Sequence, residues 1–252
     1  MRSIFRSLAS FFGASGYSKV LVSVILLGLA VGVIFHPLPF GQPAQAARQS
    51  PLRTVATRHR EVALTFDISW GEKMPPKVLA ILEKDRVSAT FFLSGPWAKT
   101  HPDIVARISR DGFQVESHGQ RHVDFSHLSA AGVADNITQA GEILKSLTGK
   151  APTFIRPPNG DYSQQSLQAT ASLGYTTVIW GTDSLDWMNP GVDVIVSRVL
   201  TKAHPGDIVL LHASDTCKQT DLALPRIIEG LRKEGYRLVT LSELIRNANQ
   251  NS

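Results

Sequence analysis

The chain has a single cysteine among its 252 residues, Cys217, so no disulfide can form within it. A folded part of about 200 residues buries enough surface to do without one, even outside the cell where disulfides are permitted. No acidic residue precedes Glu61, and no basic run occurs. Of the 26 Lys and Arg residues, Arg2, Arg6 and Lys19 fall within residues 1–47, which leaves 23 basic against 21 acidic residues in the remainder. A surplus that small, with no basic stripe, argues against a nucleic-acid partner. After residue 60 there is no apolar run long enough to cross a membrane. There is also no internal repeat and no low-complexity tract.

What is present begins with a targeting signal. Three basic residues precede sixteen mostly apolar ones, Val20 to Phe35, and a polar, Pro- and Ala-rich stretch follows from His36 to Ser50. Ala44-Gln45-Ala46 resembles a small-residue cleavage site. The apolar run is long for a signal core and slightly short for a spanning helix. Residues 1–47 are therefore expected to be either a cleaved signal peptide or a retained membrane anchor. Positive charge ahead of the run puts the rest of the chain outside. The protein is expected to be exported, extracellular or held at the cell wall, with the membrane touched only through this N-terminal segment. Residues 48–60, with Pro51, Arg53, Arg58 and Arg60, are expected to form a loose linker. The folded domain is expected over 61–246, with a short tail at 247–252.

From Glu61 the pattern alternates. Buried strands are predicted at 62–66, 89–93, 113–116, 153–155, 175–180, 207–211 and 237–239. Helices are predicted at 75–84 with prolines in the first turn, 102–110, 129–147 capped by Ser129, 163–173, 192–203 and 221–234, and a last short helix capped by Ser242. This is an α/β chain with a parallel sheet and crossover helices. About seven such units suit a distorted (β/α) barrel better than an open sheet.

The chemistry-bearing residues share a position. In parallel α/β folds, sites form beyond the carboxyl ends of strands. Here the first strand is followed by Asp67 and Trp70, and the third by His118 and His122. The fourth leads into Arg156-Pro157-Pro158-Asn159-Gly160, the fifth into Asp183-Ser184-Leu185-Asp186-Trp187, and the sixth into Leu210-Leu211-His212. If the chain turns into a helix after Ser117, His118 and His122 share a helix face and can grip a divalent metal. Each residue alone admits a bland role. Asp67 could form a turn and Arg156 a surface ion pair. Trp70 and Trp187 could be core residues, and His212 a satisfied core histidine. Brought to one rim, they suggest metal-assisted hydrolysis. Cys217 looks incidental.

In this order the five segments resemble the motifs of the polysaccharide deacetylase (NodB-homology, carbohydrate esterase) family. These are Thr65-Phe66-Asp67, Ser117 to His122, Arg156 to Gly160, Asp183 to Trp187 and Leu210 to His212. Thr65 to Gly71 with Phe91 to Trp97 is most similar to the sporulation-associated branch. The resemblance covers residues 60–245. It implies a divalent metal, often zinc, and removal of N-acetyl groups from an amino-sugar polymer such as peptidoglycan or chitin. It implies Asp67 as general base, Arg156 as its orienting partner, His118 and His122 as metal ligands, and His212 as general acid supported by Asp186. The Asn159 N–H would help bind the oxyanion, and Trp187 and Leu210 would shape an apolar pocket for the acetyl methyl.

Two positions depart from the family pattern. Gly119 follows His118 where Ser or Thr is common. A second aspartate, the third metal ligand, usually follows the first, and here Ile68 stands there. Catalytic zinc sites usually have three protein ligands. Either Asp67, Asp124 or His127 completes the site, or the metal binds weakly, or the domain has become an extracellular glycan-binding protein that hydrolyses nothing.

Overall fold

The structure is a computed structural model that describes residues 49–250. The predicted segment 1–47 and the last two residues lie outside that range. Eight strands are described: β1 (Glu61–Ile68), β2 (Thr90–Leu93), β3 (Gln114–Ser117), β4 (Phe154–Ile155), β5 (Thr176–Thr177), β6 (Thr182–Asp183), β7 (Asp207–His212) and β8 (Arg237–Leu238). Eight helices flank them: α1 (Met74–Lys84), α2 (Gly95–Thr100), α3 (Pro102–Arg110), α4 (Ala130–Thr148), α5 (Gln164–Ser172), α6 (Val192–Lys202), α7 (Thr220–Lys233) and α8 (Leu241–Asn249). The sheet order is β5-β4-β3-β2-β1-β7-β6, with β8 paired to the start of β1, and every pairing between named strands is parallel. Seven strands in one curled path, with helices on the outside, make a distorted (β/α) barrel.

The period-two alternation of β1 sorts its residues between two layers. Val62, Leu64, Phe66 and Ile68 pack in the large core with Val78, Leu79 and Leu82 of α1 and with Ala223, Leu224 and Ile227 of α7. Ala63 belongs to the inner cluster with Phe92 and Ile208, and Thr65 and Asp67 continue that inward face. Burial of each large apolar side chain contributes about 1.5–3 kcal/mol. The inward face of β1 therefore ends in a polar residue at the top of the barrel, at the same level as the end of β7.

The helix boundaries follow local chemistry. Pro75 and Pro76 occupy the first turn of α1, where a missing N–H costs nothing. Ser129 caps α4 by accepting from the Gly132 N–H, and Gly149 ends that helix at φ 73°. Thr240, not Ser242, caps α8, because Thr240 and Glu243 form a reciprocal capping box.

Three further sequence expectations change. Residues 114–117 run on as strand, but His118 to Asp124 form no helix. Gly119 turns the chain at φ 81°, and the buried Asn136 side chain on α4 holds the loop through Gln120 N, Arg121 N and Arg121 O. The fifth strand is only two residues long, and the chain then continues to a separate strand, β6. The expected loose linker is ordered at its middle. Leu52 bridges Val178 and Thr54 bridges Asp207, and Val55 N donates to Gly206 O at 2.8 Å. Leu52 and Val55 also pack on the inner cluster. This strap fills the gap between β5 and β7. Among the described residues no helix is long and apolar enough to cross a membrane.

Candidate active site

The register of β1 and β7 pairs Asp67 with His212, so both side chains leave the sheet side by side at its carboxyl end. They line a cleft of about 390 Å³ together with Ser69, Trp70, His118, His122, Asn159, Trp180, Trp187 and Leu210. That volume is within the range of small-ligand pockets. All five predicted segments therefore converge on one cleft.

Asp67 is nearly enclosed at 5% exposure, and Arg156 is fully buried. Arg156 donates to Asp67 Oδ1 at 2.7 Å, to Thr65 Oγ1 at 2.8 Å and to Ile179 O at 3.2 Å, and its guanidinium lies 4.1 Å over the Phe92 ring. Burial pushes the Asp67 pKa up, but the charges of Arg156, His118 and His212 together outweigh it, and the carboxyl stays below its ordinary range. Asp67 is therefore ionised at neutral pH.

The neighbouring strand end carries the complementary pair. Asp186 is fully buried. Its Oδ1 accepts from His212 Nδ1 at 2.7 Å, and its Oδ2 accepts from the His212 N–H and the Thr220 hydroxyl, each at 2.7 Å. Burial lowers the His212 pKa, but Asp186 and then Asp67 reverse the sign and leave it raised. The bond at Nδ1 turns Nε2 toward the cleft. Leu185, at φ 59°, turns the chain so that Asp186 points inward.

His118 is buried, and its Nδ1 donates to the Arg156 carbonyl at 2.8 Å. Burial, the largest influence, lowers its pKa to about 4, so the ring is neutral and Nε2 carries a lone pair. That atom lies 3.7 Å from Asp67 Oδ2. Two ligands of one zinc ion, each about 2 Å from it, keep a similar separation. His122 lies across a T-shaped contact with His118 at 5.3 Å between ring centroids, and Trp70 tilts against it at 4.7 Å. Burial lowers the His122 pKa as well.

Among the described residues, Asp67, His118 and His122 do not bring three ligand atoms within 4.8 Å of one another, although Asp67 Oδ2 stands near enough to His118 Nε2 to share an ion with it. Ile68 is fully buried among the outward-facing core residues of β1, away from the imidazoles. Asp124 does not complete the set, because its Oδ1 accepts from Asn159 Nδ2 at 2.7 Å. His127 stays 79% exposed beside Asp124. Among the described residues, the three whose ligand atoms lie within 4.8 Å of one another are Asp186, His212 and Cys217. That set suits a metal poorly. Both Asp186 oxygens already accept hydrogen bonds, and burial first and then Asp186 push the Cys217 thiol up to about 12.

The remaining predicted residues sit around the rim. Asn159 holds φ 58°, and Gly160 beside it lies so close under Trp180 that a Cβ would come within 2.5 Å of the indole. Leu210 is buried at the cleft floor, whereas Trp70 and Trp187 are each about half exposed at its edges. Sequence reasoning gave Thr65 no role of its own, although it stands in the first motif, and missed Trp180, Thr220 and Asn136. The side chains of those three act through contacts distant in sequence, and nothing local marks them.

Residues 54–178 match the model of the polysaccharide deacetylase family. The chain is 34% identical over 195 residues to a peptidoglycan-N-acetylglucosamine deacetylase of Bacillus cereus, covering 76% of this chain and 91% of that protein. It is 31% identical over 184 residues to the uncharacterized protein YlxY of Bacillus subtilis, covering 73% of this chain but only 57% of that relative. Among solved structures it is similar to BA3943, described as a CE4 family pseudoenzyme from Bacillus anthracis, with a TM-score of 0.74 and 30% identity over 78% of this chain and 69% of that one. A mutant of that pseudoenzyme is described as having restored enzymatic activity.

Proposed function

The chain belongs to the polysaccharide deacetylase family, and on that premise we propose that its cleft hydrolyses N-acetyl groups from an amino-sugar polymer of the peptidoglycan or chitin type. One observation carries this reading. Two titratable groups stand side by side in the cleft on the paired ends of β1 and β7, and their surroundings push their pKa values in opposite directions, Asp67 down and His212 up. Such a pair keeps a base ionised and an acid protonated at the same pH.

A water molecule between Asp67 Oδ2 and His118 Nε2 would donate to both acceptors and present its oxygen to an amide carbon. As it attacks, Asp67 takes one proton. The oxyanion forms near the Asn159 N–H. His212 Nε2 then protonates the amide nitrogen, the C–N bond breaks, and acetate and a free amine leave. Arg156 holds Asp67 in position, and Asp186 keeps His212 charged. Leu210 and Trp187 enclose the acetyl methyl, and Trp70 supports a sugar face at the other rim. The polymer itself is met outside the cell, as the basic-then-apolar N-terminus implies.

The test is acetate release from N-acetylated peptidoglycan and from chitin oligomers. Asp67→Asn should abolish release and leave glycan binding intact. Unchanged release would remove Asp67 from the role of base.

A second reading has its own observation. Ile68 is turned into the core where the family pattern has a metal ligand. A domain of that kind would retain glycan without hydrolysing it. In that case Trp187→Ala weakens glycan retention, Asp67→Asn and His212→Ala leave it unchanged, and no acetate is released by the unaltered protein.

A further inference from the structure

The paired strand ends that carry Asp67 and His212 lead into two loops, and one side chain that the motifs leave out crosses between them. Past the ends of β1 and β7 the strands stop, but the two loops remain tied. Ala213 N donates to Asp67 O, Ser69 N to Ser214 Oγ, and Asp215 N to Trp70 O. The Asp215 carboxylate then crosses to the β1 side. Its Oδ2 accepts from Glu72 N at 3.1 Å, and its Oδ1 accepts from Lys73 N at 2.9 Å and Met74 N at 2.7 Å. These are amides at the start of α1, which the Lys73 side chain does not cap. A carboxylate at that end also meets the positive pole of the helix.

Gly71 shows how closely the two loops are fitted. It holds φ +80°, and a Cβ there would come within 2.1 Å of Asp215 Cγ. Its carbonyl accepts from Trp97 Nε1 at 2.7 Å, which fixes the other side of the same turn. Trp70, on the cleft rim, thus precedes a glycine clamped between Asp215 and Trp97. His212, at the end of β7, lies three residues before Asp215.

We propose that Asp215 is a positioning residue for substrate: it caps α1 from the loop after β7 and so fixes the Trp70 loop against the loop that follows His212. The inference rests on the reading of the cleft as an N-acetylglycan site. Asp215 touches no reacting atom, so its loss should act on binding of the sugar more than on the chemical step.

The experiment compares the unaltered protein with Asp215→Ala, Asp215→Asn and Gly71→Ala. It uses an N-acetylglucosamine tetramer as probe, with kinetics of acetate release, calorimetric binding and amide hydrogen exchange. For Asp215→Ala, exchange at Glu72, Lys73 and Met74 should quicken about tenfold, the effect of losing a good cap. KM should rise about tenfold while kcat stays within about twofold. Asp215→Asn keeps one acceptor oxygen and should recover part of the KM. Gly71→Ala keeps the Asp215 side chain but its Cβ pushes the carboxylate off the turn, and should raise KM as well; it decides the matter if Asp215→Ala fails to fold. Quickened exchange with unchanged KM would mean a purely structural cap and overturn the proposal. If the unaltered protein releases no acetate, the hydrolase reading fails, and the ratio of tetramer Kd values tests Asp215 in its place. If it neither releases acetate nor binds the tetramer, the cleft is not a glycan site and the proposal falls with it.

Discussion

Replacing Arg156 by Met removes one charge from the interior and keeps an apolar side chain of comparable length. Arg156 is fully buried, and its partner Asp67 is only 5% exposed. Removing one member of a buried ion pair costs about 3–5 kcal/mol, because the other charge is left without compensation. For a domain of about 200 residues each kcal/mol lowers Tm by about 2–4 °C, so a fall of about 6–20 °C is expected at neutral pH. The pH dependence tests the cause. In the unaltered protein the Asp67 pKa is depressed, so the stability it adds is present above its unfolded value and is lost as pH falls through the folded one. In Arg156→Met, burial dominates and the folded pKa rises above the unfolded value. The sign then reverses, and the penalty is present above the raised pKa and fades as pH falls through it. The Tm gap between the two proteins should therefore narrow from pH 8 to pH 5. Adding Asp67→Asn should recover at least about 1 kcal/mol of the loss, since the stranded charge is gone. Thermal unfolding of all four proteins of this cycle at several pH values is the assay. A gap that stays constant with pH, or strictly additive losses, would refute the reasoning.

Three further outcomes follow from the same geometry. Asp186→Asn removes the group that raises the His212 pKa, so the alkaline limit of acetate release should move to lower pH, and an unmoved limit would refute the acid assignment. Because the raised His212 pKa adds stability below its unfolded value and loses it as pH rises through the folded one, this variant should lose most stability near pH 6 and least at pH 9. Because Asp67, His118 and His122 do not bring three ligand atoms within 4.8 Å of one another, about 100 μM zinc should raise Tm by no more than about 2 °C, and a rise of 5 °C or more would show a closed ligand set. Gly206→Ala should free the strap, because a Cβ there would come within 1.8 Å of Val55 O at a φ of +82°. A loss of at least about 1 kcal/mol, with faster proteolysis near residues 52–57, is expected in that variant, and unchanged stability would count against the strap as part of the fold.

Most elements were legible because their signals are local. Ser129, Gly149 and the prolines of α1 act within one helical turn, and the predicted and observed helices there agree to within a residue or two. What was missed depended on contacts far along the chain. The α2 helix begins at Gly95-Pro96, which also suits a turn, and it is supported by packing on α4. The strap at 52–55 has a composition typical of a loose arm and is ordered by the exposed edges of β5 and β7. The His118–His122 segment satisfied helical spacing, yet Gly119 and Asn136 bend it into a loop.

The sequence alone determined that strands and helices alternate, that polar residues follow five strands, and that Ile68 stands where a ligand is common. Those are matters of order and residue type. Tertiary structure decided which polar groups meet and what their charge states are. Asp67 and Arg156 are 89 residues apart, and Asp186 and His212 are 26 apart. The tertiary fold, through the charges of Arg156 and Asp186 and against the pull of burial, sets the base and acid apart. It also decided the side on which Ile68 falls, since β1 alternates and the residue after an inward Asp67 faces the helices.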